Sequence, residues 1–350
     1  MKDTTVAERL VRAGVDVADE SAEPPLETPD VVRALQAFSG WLAALFLLGS
    51  IAAGVAFVVE SPAVASGLGV VSIIAAWFML RVRPGDFVEH LALAISLVGQ
   101  LLVAWALADH LDEGLVGWAL LGLQTLLALI MPSLVHRVFS AFAASLALYM
   151  ALADGGLYYL VDGLLVLALV GIWLSEFRYS RHLRAIQAWG HGVLLGLLVI
   201  HGVDAVSEPL SGWRVSASSP AGWLGPWLGD AMGALALVVL LRYLFREGRL
   251  AVGARGQFIA YGAVAALMLL SWFAHGLVLG VVVVALGFAI AHRSLMAAGV
   301  LLLLFSIGNY YYWLDATLLL KALTLFAAGT SLLLLRWALR WRMTQRGGPR

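Results

Sequence analysis

The chain reads as all-α: a polytopic bundle of about twelve membrane-spanning helices with both termini cytoplasmic. Composition is the first reason. Hydrophobic residues fill 62% of the 350 positions and charged residues 13%, against about 45–50% and 25% in soluble domains. Apolar stretches of about 20 residues then recur along almost the whole length, each long enough to cross a ~30 Å hydrocarbon core. Finally, the basic residues alternate from one connection to the next. Net charge is zero, but its two signs are segregated.

Residues 1–34 form a cytoplasmic segment, with a short amphipathic helix over Val6 to Val15 and an acidic linker, "DVADESAEPPLETPD", whose composition suits flexibility. Acids follow its basic residues and no apolar core starts before Trp41, so it does not read as a signal peptide. The transmembrane bundle, residues 35–338, divides into spans at about 36–59, 63–80, 91–108, 115–131, 138–153, 157–175, 186–204, 224–244, 258–275, 277–291, 294–313 and 316–336. Residues 339–350 form a basic cytoplasmic tail. Gly276 and Leu277 barely separate the ninth span from the tenth, which leaves a tight hairpin and a broken helix both open.

Arginines follow the even-numbered spans: Arg81 and Arg83, Arg137, Arg178 to Arg184, Arg246 to Arg255, Arg293, and Arg336 to Arg350. With the N-terminal segment and Arg242, twenty of the 22 Lys and Arg fall on one side. The opposite connections carry Glu60, Asp109, Asp112, Glu113, Asp154 and Glu208, with a single Arg214. Positive charge is retained inside, which gives an N-in/C-in inner-membrane protein.

Two segments look alike, "YYLVDGLLVL" from Tyr158 and "YYWLDATLLL" from Tyr311. They suggest a 6+6 parallel repeat of halves 35–175 and 186–336, an arrangement several transporters use. Chance similarity in a leucine-rich chain is the rival.

Lys321 raises the functional question, because an ionised amine costs about 2.5 to 3.5 kcal/mol at the centre of a spanning helix. It lies about 8 Å below the outer entry of the twelfth span at 1.5 Å per residue, within reach of snorkelling. Thr317, Lys321, Thr324, Ala328 and Ser331 nevertheless share one helical stripe, and small or polar residues face other helices. Lys321 is therefore expected to face inward, paired with Asp162 or Asp230. Asn309, Tyr310, Asp315, His201 and His275 join Thr317 in the same outer layer, as a candidate polar pocket. A salt bridge that only fixes helix register is the competing reading. Gln100, Gln124 and the inner-side His191 are expected to make ordinary interhelical hydrogen bonds.

The chain has no cysteine, so thiolate catalysis and Cys-ligated metals are excluded. No two histidines share ligand spacing on one helix, and no G-x-S-x-G, H-E-x-x-H or Walker loop occurs. No catalytic residue, metal or cofactor is expected, and no nucleic-acid partner. The working reading is small-solute or ion-coupled transport through an outward-facing polar pocket, with the lipid bilayer and a small solute as partners. The alternative is a non-catalytic membrane scaffold that binds another envelope protein.

"VRALQAFSGWLAALFLLG" and "GNYYYWLDATLLLKALTLFAAGTSLLLLRW" resemble a bacterial inner-membrane family, domain of unknown function 4401. Gly308, Asn309, Tyr310, Tyr311, Asp315, Thr317, Leu318, Leu319, Lys321, Ala322, Gly329 and Arg336 occupy its C-terminal pattern. The middle spans match by hydropathy alone. The resemblance implies a bacterial inner-membrane location and brings no activity with it.

Overall fold

The computed structural model describes residues 61–82, 86–176, 178–179, 182–207, 220–247, 253–271 and 276–313, with positions 46, 50 and 319. The described residues contain ten α-helices and no strand: α1 (Pro62–Arg81), α2 (Asp86–His110), α3 (Glu113–Ile130), α4 (Leu134–Asp154), α5 (Val161–Ser175), α6 (Leu183–Ser207), α7 (Pro220–Arg246), α8 (Ala254–Leu270), α9 (Leu277–Ala289) and α10 (Arg293–Trp313). A 3-10 turn, Tyr158–Leu160, leads into α5. These helices fall on the second to eleventh predicted spans, with ends shifted by a few residues. The N-terminal segment, the C-terminal tail and, apart from isolated positions, the first and twelfth spans lie outside the described residues. Helices α1 to α4, α6 and α7, and α5 together with its 3-10 turn, are long and apolar enough to cross a membrane; the apolar parts of α8, α9 and α10 are shorter. The chain is built as a helical membrane protein.

Local chemistry sets the helix ends. Pro132 pushes Met131 to φ −69°, ψ 135° and stops α3. Ser133 then caps α4, its side chain accepting from His136 N at 3.4 Å. At the far end of α4 the chain turns through Gly156 at φ +70°, with Leu157 N bonded to Leu152 O at 2.7 Å and Gly156 N to Ala153 O at 2.9 Å. This is a Schellman ending with glycine in the left-handed position. Helix α9 ends the same way, but Ala291 takes that position at φ 57°, with His292 N on Gly287 O at 2.8 Å.

The chain forms two compact units, Met1–Val103 and Ala104–Arg350. In the first, α1 meets α2 through glycines: a Cβ on Gly69 would lie 2.7 Å from Gly99 O. In the second, α4 packs between α3 and α6, α6 also meets α5 and α10, and α7 lies against α5, α8 and α9. Leu165, Leu169, Leu197, Leu240, Leu286 and Leu302 are buried in its core, while Phe258, Ile259 and Phe288 are exposed. Lipid is as apolar as leucine, so close packing rather than hydrophobicity holds such helices together. Gly192 and Gly196, readable from sequence as either an internal or a dimer contact, pack internally on Val138, Ala141 and Ser145 of α4.

The closely spaced ninth and tenth spans are separate helices. Helix α8 stops at Leu270, and α9 starts after Gly276, which is left-handed at φ 85°. The two similar tyrosine segments differ at their start. Tyr158 opens the 3-10 turn, whereas Tyr311 lies in the tail of α10.

Candidate functional site

Asp162 stands in the first turn of α5, where a helix N-terminus favours a carboxylate. His201 comes from α6, Ser306 from α10, Asp230 from α7, and Ser271 and Gly276 from the flanks of the α8–α9 connection. His201 Nδ1 lies 2.8 Å from Asp162 Oδ2, and its Nε2 lies 3.0 Å from Ser306 Oγ. Ser306 Oγ also donates to Leu302 O at 3.0 Å. The side chains of His201 and Asp162 are 11% and 18% exposed.

In these three contacts the Leu302 carbonyl can only accept, so it takes the serine hydrogen, and an ionised Asp162 takes a hydrogen on Nδ1. The contact of Nε2 with Ser306 Oγ then suits a hydrogen on Nε2. The three bonds are compatible with a doubly protonated His201 beside an ionised Asp162. A neutral ring would turn the serine hydroxyl away from Leu302 O toward Nε2. The chain of bonds therefore has two arrangements that differ by one proton.

A second carboxylate network abuts the first. Ser271 Oγ donates to Asp230 Oδ2 at 2.7 Å, and Gly276 N donates to Asp230 Oδ1 at 3.1 Å. Asp230 is buried with both oxygens engaged. Gly276 touches both networks: a Cβ there would lie 2.6 Å from His201 Cε1 and 3.0 Å from Ser306 Oγ. Only glycine combines that close approach with positive φ at low cost.

Near this cluster, two acceptors have no donor among the described residues. Asp162 Oδ1 and Asn309 Oδ1 are buried and unbonded. Each such group costs about 1 to 3 kcal/mol. Asn309 follows Ser306 by one turn on α10.

The order Asp162–His201–Ser306 matches that of a nucleophilic triad. Its surroundings suit acyl transfer poorly. Ser306 is 2% exposed, the Gly276 backbone lies against its hydroxyl, and the nearby Gly276 N–H is engaged by Asp230. The geometry suits holding a proton.

Of the residues expected in the polar pocket, the structure brings together Asp162, His201 and Asp230, and sets Asn309 on the helix that carries Ser306. Tyr310 ends in the tail of α10, its side chain outside the described residues. Lys321, Thr317, Asp315 and His275 also lie outside them. Ser306, Ser271 and Gly276 were not legible as members. Serine and glycine are common inside membrane helices, and nothing in their spacing marks these ones. His191 departs from expectation: its Nδ1 bonds the carbonyl of Gln187 on its own helix, at 2.7 Å. Gln100 donates to Ser96 within α2, at 3.0 Å. Among the described residues, no group of three or more His, Cys, Asp or Glu is arranged to hold a metal.

Residues 29–342 match the family model described as Domain of unknown function (DUF4401). No curated protein and no solved structure matches the chain.

Proposed function

The chain belongs to the DUF4401 family, and we propose that this member is an inner-membrane transporter that couples movement of a small solute to protons. In this reading it has twelve spans in two six-helix halves, both termini are cytoplasmic, and the Asp162–His201–Ser306 cluster opens to the outside. The observation that carries the reading is the 2.8 Å contact between His201 and Asp162, inside helices long enough to span a membrane. Ionisable residues within membrane-spanning helices mark ion pathways by default, and Asp and His chains serve as proton relays. The bond pattern supports His201 as the proton carrier and Ser306 as the group that turns when the proton leaves.

Lys321 completes the pocket in this proposal. Each oxygen of Asp230 already accepts a hydrogen bond, whereas Asp162 Oδ1 has no donor among the described residues. That difference favours Asp162 over Asp230 as the partner of the Lys321 ammonium, whose donors suit an open carboxylate oxygen. The protonated His201, the Lys321 ammonium and a donor group of an arriving solute would then compete for one carboxylate.

The test is reconstitution into proteoliposomes containing a pH-sensitive dye, with a panel of small solutes added outside. Solute-dependent internal acidification is expected, and Asp162→Asn abolishes it. If no solute moves protons in the parent protein, the transport reading falls. The scaffold reading has an observation of its own, the dry packed core of Leu165, Leu169, Leu197 and Leu302 beneath the cluster. It predicts loss of partner assembly, with no flux, in a deletion strain.

A further inference from the structure

The helices that build this cluster carry another at their opposite ends. Trp173 comes from the last turn of α5 and Glu176 follows that helix, Gln187 and His191 come from the first turns of α6, and His292 precedes α10. The three rings pack together. Centroids are 5.4 Å apart for Trp173 and His191, 4.9 Å for Trp173 and His292, and 5.4 Å for His191 and His292. Gln187 Nε2 donates to Glu176 Oε1 at 2.9 Å.

Packing alone does not account for this grouping. Trp173 is fully buried, yet its Nε1 and the Nδ1 of His292 have no hydrogen-bond partner among the described residues. Leucine or phenylalanine would fill the same space without stranding polar atoms. Because His191 Nδ1 faces the Gln187 carbonyl, it carries hydrogen, and in the neutral ring Nε2 is left as a base. A left-handed turn sets His292 in place, since Ala291 before it sits at φ 57°, a conformation costly for any residue with a Cβ. Strain of this kind concentrates at functional sites.

We infer that His191 and His292 form a second proton-binding site, taking up one shared proton beside the Glu176 carboxylate. The inference deepens the transport reading, on which its role as the opposite-side station rests; the binding of the proton itself does not depend on it. Two charged groups act on His292: His191 from α6 and Glu176 from the end of α5. The exposed Arg293 is its neighbour in sequence. Helix α9, which leads into it, has no titratable residue. A second proton on the pair would set two cations within one ring contact, so the rings cannot charge independently. Burial and His191 hold the His292 imidazole below its ordinary value, while Glu176 opposes them.

The two stations lack a static connection. About 21 Å of helix separates Asp162 from Glu176 at 1.5 Å per residue. Leu165, Val166, Leu169, Leu197 and Leu302 fill the gap, each 4% exposed or less. A proton passes between the stations only when the helices move, as alternating access demands.

The experiment is a pH titration of the full chain, 15N-labelled at histidine, in lipid nanodiscs, with His191→Gln and His292→Gln for assignment. The pair is expected to titrate in coupled steps and not independently. His191→Gln is expected to raise the His292 midpoint, and Glu176→Gln to lower it. Glu176→Gln keeps both rings, so the result stands even if a histidine variant fails to fold. Independent titration, with midpoints unmoved by either change, overturns the inference. Coupled titration without proton flux in proteoliposomes sinks the transport reading alone; flux with independent rings sinks this inference alone.

Discussion

His201 and Asp162 are 39 residues apart in sequence, and their side chains meet at 2.8 Å inside the helical bundle. The contact joins α5 to α6, and Ser306 extends it to α10. In a bilayer, an interhelical hydrogen bond averages about 0.6 kcal/mol and reaches about 1.7 kcal/mol. A structural role would make this contact a modest fastener. A turn of the Ser306 hydroxyl from Leu302 O to His201 Nε2 would give it a further capacity, because a single proton would decide which acceptor the hydroxyl serves.

Asp162→Asn keeps the shape of the side chain and removes its charge. We expect a loss of about 1 to 2 kcal/mol in stability and loss of proton coupling. Thermal unfolding in detergent reads the first and dye-loaded proteoliposomes the second. Near-parental coupling in a folded variant would remove Asp162 from the mechanism.

Gly276→Ala should be far more damaging than its size suggests. Its Cβ would press on His201 and Ser306 from a φ of 85°, adding contact strain to a conformational cost of about 1 to 2 kcal/mol. Gly122→Ala, with nothing within 4 Å of the new atom, is the matched control and should be neutral or slightly stabilising. Comparing the unfolding temperatures of the two variants checks the point.

Ala291→Gly should stabilise the protein by about 0.5 to 1 kcal/mol, since glycine takes φ 57° without a Cβ penalty but gains entropy when unfolded. The 15N signals of His292 should stay where they are. A destabilised variant would show that the α9 ending is held by something other than the Schellman turn.

Gly192→Leu and Gly196→Leu should disrupt the contact of α6 with α4 and lower stability by several kcal/mol, as overpacking of a close backbone approach does. Oligomeric state, read by light scattering, should not change in whatever fraction remains folded. A shift in mass without loss of stability would assign the pair to a dimer interface.

Stability should also depend on pH through His292. Its folded value lies below the ordinary 6.5, so between the two values the unfolded chain binds more protons than the folded one. Stability is then fully present above about pH 6.5 and declines as pH falls toward the folded value. His292→Gln should flatten this slope in unfolding experiments run from pH 7.5 down to about 5.

Hydropathy and charge alternation located every described helix, because membrane solvation leaves the backbone little other choice. The Gly192 and Gly196 pair was legible as a contact, though not whether it was internal. Asp162, His201 and Asp230 stood out, since ionisable residues are rare in such segments. Ser306 and Ser271 did not, because a serine bonded to its own helix has the same spacing as one that reaches across. His292 was masked by Arg293 and reads as a loop residue. What recruits it is the left-handed turn at Ala291, which the sequence "FAIAHRS" does not announce.

The most direct check concerns the proton on His201. The 15N spectrum of selectively labelled protein in nanodiscs, near neutral pH, distinguishes an imidazolium from a neutral ring. With Asp162 intact, both ring nitrogens of His201 should carry hydrogen, and Asp162→Asn should free one of them. A neutral His201 in the parent protein, unchanged by that substitution, would contradict the account.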